Sequence, residues 1–83
     1  MKRITFGRFL VVSRGKLNLT ASEAARRCGV SRSHWSHYEH DRKWPDEHVL
    51  YAMSLLFDVP MGRLYEYAHP DTASIRRALI AEF

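Results

Sequence analysis

Apolar residues recur at helical spacing in one short segment after another, and nowhere do they alternate over the length of a strand. Phe6, Phe9, Leu10 and Val12 mark a first helix from about Thr5 to about Arg14, with apolar positions beyond a simple core stripe. Arg14 to Asn18 then reads as a loop. Thr20 and Glu23 have capping-box spacing, so a second helix is predicted from about Ala21 to Cys28. Gly29 suits the left-handed conformation that ends a helix, and Ser31 can cap the next, which runs to about His40. Pro45 precedes a fourth helix, Asp46 to Phe57, in which Leu50, Met53 and Phe57 share one face. A short fifth helix is predicted from Met61 to about Ala68, with Leu64 turned inward. After the break at His69-Pro70, Ile75, Leu79 and Phe83 recur every four residues in a last predicted helix capped by Asp71.

The segment from Ala25 to Tyr38 organises the rest. A small residue, Ala25, lets two backbones approach, Gly29 makes the turn, and Trp35 and Tyr38 hold the following helix down. What remains on the outer side of that helix is polar and basic. The pattern describes a DNA-binding helix-turn-helix in an all-α fold.

Length sharpens this picture. Eighty-three residues are expected to make one small domain with a modest core, whose stability should be marginal or be helped by dimerisation. The net charge of +4 is unevenly divided: residues 1–43 carry ten Lys and Arg against three acids, +7, and residues 44–83 carry −3. One basic half and one acidic half suit a polyanion approached from one side. The single cysteine fits a reducing cytoplasm. No apolar run approaches a membrane span, and Lys2 and Arg3 do not lead into a signal peptide.

Arg14, Leu19-Thr20, Ala25, Gly29-Val30-Ser31, Trp35, Glu39 and Pro45, followed by Leu50, Met53-Ser54, Phe57, Val59 and Leu64, stand in one register between Phe6 and Tyr65. In these residues the chain resembles the phage repressor and Cro-like helix-turn-helix family, the XRE family. The resemblance implies a five-helix, lambda-repressor-like domain over residues 1–68, with 69–83 as a C-terminal helical extension. It also implies an ion pair between Arg14 and Glu39 that ties the first helix to the end of the third. If that pair is buried, loss of one partner should cost around 3–5 kcal/mol. Three positions depart from the family pattern. Ala21 stands where a phosphate-contacting Gln is usual, Asp41 where a Gly is usual, and Trp35 is larger than the usual Ile or Leu.

With the third helix in a major groove, Arg32, Ser33, Ser36 and His37 form the face expected to read bases. Thr20, Ser22, Arg42 and Lys43 are expected to hold phosphate, with Lys2, Arg3 and Arg8 also within reach of the backbone. His34, His37 and His40 recur every three residues near Cys28, but the outer two diverge around the helix axis, so no metal site is expected. Their protonation is expected instead to strengthen DNA binding at low pH. No cofactor is expected, and no arrangement of nucleophile, base and orienting acid suggests an enzyme.

The implied partners are double-stranded DNA and a second copy of the chain. Tyr51, Leu55, Leu56, Ile75, Leu79 and Phe83 are candidate contacts, and Phe9 and Val11 also exceed their helix's core needs. The expected function is a sequence-specific transcriptional regulator, a repressor acting as a homodimer on an inverted repeat. The alternative is an antitoxin or small adaptor whose apolar helical faces bind a toxin or larger regulator, with DNA binding serving autoregulation.

Overall fold

A computed structural model describes residues 4–68, which form five helices and, among the described residues, no strand. The helices are α1 (Phe6–Lys16), α2 (Ala21–Arg27), α3 (Arg32–Glu39), α4 (Glu47–Phe57) and α5 (Met61–Ala68). The extension expected at 69–83, with Ile75, Leu79 and Phe83, lies outside the described residues.

Four helices begin at a side chain that takes an otherwise unpaired amide. Thr5 accepts from Arg8, Thr20 from Glu23, Ser31 from His34 and Asp46 from Val49, each at 3.1 Å. A cap of this kind contributes about 1 kcal/mol to its helix. The ends differ more from expectation. α1 continues past Arg14 through Gly15 to Lys16, because the chain is turned by Asn18 in the left-handed conformation, φ 57°. α2 stops one residue early: Cys28 is its C-cap, and Gly29, at φ 73°, makes the turn.

The core forms where α1, α2, α3 and α4 present their inner faces. Ala24 and Ala25 are almost wholly buried, so nothing bulky separates α2 from α3. Trp35 fills the centre with no exposed surface, its ring 6.5 Å from Tyr38 and 6.4 Å from Phe57. Phe9 meets Phe57 edge-on at 6.0 Å and stacks on Tyr67 at 4.5 Å. Phe9 is therefore a core residue that fastens α5 to α1, not the spare apolar position the sequence suggested. Leu56 likewise packs half-buried against the core, whereas Tyr51 and Leu55 remain 56% and 66% exposed. Cys28 is buried among apolar neighbours, and burial pushes its thiol up to about 11.

α1 and α3 are joined by a carboxylate. Glu39 Oε2 accepts from Arg14 Nε at 2.5 Å and from the Trp35 indole Nε1 at 2.6 Å, and Oε1 accepts from Arg14 Nη2 at 3.3 Å. Arg14 Nη1 also donates to the Leu19 carbonyl at 3.3 Å, which carries the network into the loop before α2. The bond to Glu39 raises the Arg14 pKa further. The two side chains are only 23% and 9% exposed. Beside this pair the backbones nearly touch: a β-carbon on Gly7 would sit 2.2 Å from the Glu39 carbonyl oxygen.

Three outcomes are expected. Glu39→Ala strands Arg14 and the Trp35 indole, and should lower stability by about 2–4 kcal/mol in urea unfolding, between the values for exposed and buried pairs. An unchanged midpoint would refute the role of the pair. Gly7→Ala would ordinarily help a helix, yet here it should destabilise by about 3 kcal/mol because two backbones must part; a rise in the melting temperature would contradict this packing. Cys28 should react with iodoacetamide at pH 8 far more slowly in the native protein than in denaturant. Equal rates would show that the thiol is not buried.

Candidate nucleic-acid interface

α3 has one face for the core and one for solvent. Trp35 and Tyr38 are buried and Glu39 is held by Arg14, which fixes the rotation of the helix about its axis. Ser33, Ser36 and His37 lie away from Trp35, with Ser33 exposed and Ser36 and His37 half-buried, and Arg32 is exposed in the first turn at the edge of this side. The predicted base-reading residues thus lie on one outward surface or at its edge. His34 and His40 flank it, also exposed.

Both flanking histidines are tied to their own helix. His34 Nδ1 lies 2.9 Å from the hydroxyl of the N-cap Ser31. His40 Nδ1 donates to the Ser36 carbonyl at 2.8 Å and closes the last turn. Among the described residues no three His, Cys, Asp or Glu side chains come together to hold a metal ion.

The loop after α3 carries two cations directly after the helix. Arg42 and Lys43 are exposed, and the Arg42 amide donates back to the His37 carbonyl at 2.9 Å. Trp44 packs on Phe6 at 4.6 Å and Pro45 is fully buried, so the loop is pinned down just beyond its charges. At the start of α2 the arrangement is different. Thr20 Oγ1 accepts from the Glu23 amide and donates to the Glu23 carboxylate at 3.0 Å. Its hydroxyl is engaged within the chain, and an acid stands beside it. Ser22 is the free-standing exposed hydroxyl at that end. Arg8 is exposed on α1, and Lys2 and Arg3 lie outside the described residues.

Sequence reasoning missed Asp41 and Gly7. Asp41 has φ 58° and its Oδ1 accepts the Gly7 amide at 2.8 Å, bridging the end of α3 to the start of α1. The signal was the family's usual Gly at position 41, which marks a left-handed corner that Asp tolerates better than most residues.

The family described as "Helix-turn-helix domain" matches residues 5–63 of the chain. No curated protein matches the chain significantly. Among solved structures, the chain is similar to the solution NMR structure of the DNA-binding domain of the P22 C2 repressor. The TM-score is 0.69 at 21% identity, over 88% of this chain and 99% of that one. The likeness is one of fold, and it bears out the five-helix, all-α, repressor-like architecture expected from the sequence. Among the described residues no helix is long and apolar enough to cross a membrane.

Proposed function

The chain belongs to the helix-turn-helix domain family, and on that premise we propose that it is a sequence-specific regulator that binds double-stranded DNA through α3. One observation carries the reading: burial of Trp35 and Tyr38 leaves Ser33, Ser36 and His37 on the outer side of α3, with the exposed Arg32 at its edge and the exposed Arg42 and Lys43 in the loop that follows. A helix presented this way fits a major groove with its first residues at the base edges. Arg32 can fork onto the O6 and N7 of a guanine. Ser33 and Ser36 both donate and accept, so they discriminate less, and His37 reaches a base or a phosphate. Arg42, Lys43 and Ser22 set the register on the backbone, with a smaller share for Thr20 because of its bonds to Glu23.

The proposal includes action as a homodimer on an inverted repeat, with half-sites about 10–10.5 bp apart or a multiple of that. The proposed mode is repression by occupying a promoter in the cytoplasm. The shared fold with the DNA-binding domain of the P22 C2 repressor supports the class of partner. Tyr51 and Leu55, four residues apart and both exposed, favour a second reading, in which α4 binds another protein such as a toxin and DNA binding is autoregulatory. Co-purification with an unrelated chain, rather than a dimer by size at micromolar concentration, would decide for it.

Selection of bound sequences from a random duplex library at fixed salt tests the main proposal. A symmetric consensus is expected. Arg32→Ala should weaken binding to that consensus by about 1–3 kcal/mol and relax one base preference. Retention of no preferred sequence by the wild type, or an Arg32→Ala protein with the same affinity and preference, would sink the assignment.

A further inference from the structure

The loop that carries Arg42 and Lys43 begins with an acid. Asp41 is exposed, adopts the left-handed conformation at φ 58° and places a negative charge next to two cations. Each property would weaken a surface meant for phosphate if its carboxylate stood free. The carboxylate is engaged instead. Its Oδ1 accepts the Gly7 N–H at 2.8 Å, one of the amides in the first turn of α1 that has no partner in its own helix. The next amide, that of Arg8, is taken by Thr5 at 3.1 Å. α1 is therefore capped twice, once locally and once from a residue thirty-four positions away. The positive end of the α1 dipole faces that carboxylate.

The contact depends on Gly7. A β-carbon there would lie 3.0 Å from Asp41 Oδ2 and 2.2 Å from the Glu39 carbonyl oxygen. On the other side of the corner the backbone is also held. The Asp41 amide donates to the Tyr38 carbonyl at 3.2 Å and the Arg42 amide to the His37 carbonyl at 2.9 Å. One residue thus ends α3, starts α1 and precedes both cations.

We infer that Asp41 is the positioning residue of the phosphate-facing loop. By bonding to the start of α1 it fixes the left-handed corner from which Arg42 and Lys43 leave α3, and it holds its own charge at the Gly7 amide, off the path of the DNA backbone. The inference rests on the DNA-binding reading above for the purpose of the loop, and on the free protein for its mechanics.

Two substitutions separate these levels. Asp41→Gly keeps the backbone conformation and removes the acceptor; Asp41→Asn keeps an acceptor oxygen and the tolerance for positive φ but removes the charge. In the free protein, held well below the melting midpoint, Asp41→Gly should speed exchange of the Gly7 amide about tenfold or more and lower the NMR order parameters of Arg42 and Lys43. Asp41→Asn should leave both nearly as in the wild type.

On a labelled mixed-sequence duplex followed by anisotropy across a salt series, Asp41→Gly should weaken binding about five- to tenfold and reduce the salt slope by about 1. Asp41→Asn should bind at least as well as the wild type. In an Arg42→Ala/Lys43→Ala background, Asp41→Gly should change affinity by less than about twofold, because its effect passes through those side chains.

Unchanged loop order parameters in Asp41→Gly would overturn the inference. So would an equal loss of affinity in the Arg42→Ala/Lys43→Ala background, which would mark Asp41 as a helix cap alone. A wild-type protein that binds no duplex at low salt would overturn the DNA-binding reading, while the exchange and relaxation measurements would still decide whether Asp41 fixes the corner.

Discussion

The Glu39 carboxylate takes the Arg14 guanidinium from α1 and the Trp35 indole from its own helix, and the position of α3 depends on both. A carboxylate so little exposed is costly unless it is paired and hydrogen-bonded, and here both oxygens are used. The indole N–H of a fully buried Trp needs an acceptor as well, and Glu39 supplies it from four residues along. One group thereby satisfies two demands that the core creates. It also explains how a Trp is accommodated where the resembling family uses a smaller apolar residue: the larger ring brings a donor, and the ion pair already offers an oxygen.

The orientation of the proposed reading face follows from this joint. A helix of eight residues has little stability alone, and its rotation is set by what its inner face touches. Trp35 and Tyr38 supply apolar burial, Glu39 supplies a directional bond, and the bare backbone at Gly7 lets α1 approach the end of α3. Ser31 caps one end and Asp41 turns the other. The side chains of Arg32, Ser33 and His37 make no hydrogen bond among the described residues, and the Ser36 hydroxyl only a 3.5 Å contact with His40, which leaves this side available for a partner. Fixing the frame with one set of residues and presenting another is how a short helix can read a groove without reorganising on contact.

The same separation accounts for the acidic residues within the basic half of the chain. Glu39 and Asp41 bond to α1, and Glu23 caps α2, so all three act within the fold. The cations of α3 and its following loop, Arg32, Arg42 and Lys43, are exposed, and their side chains make no hydrogen bond or ion pair among the described residues. On α4 the situation is different, since Tyr51 and Leu55 are left exposed although Leu56 and Phe57 pack inward.

By itself the sequence determined the starts of the helices, the turn at Gly29 and the inward pair Trp35 and Tyr38. Each of these follows from local rules: a hydroxyl or carboxylate at a cap, a missing β-carbon at a positive φ, apolar residues three or four apart. The candidate reading face was legible for the same reason, because on a helix whose inner residues are known the outer ones are determined. Tertiary structure decided what depends on distant partners. Phe9 is core because Phe57 and Tyr67 meet it from α4 and α5, which periodicity within α1 cannot reveal. Gly7 is required by a carbonyl on α3, and Asp41 takes up a left-handed corner because the α1 amide it bonds lies thirty-four residues away in sequence. Only the folded chain brings those groups within bonding distance.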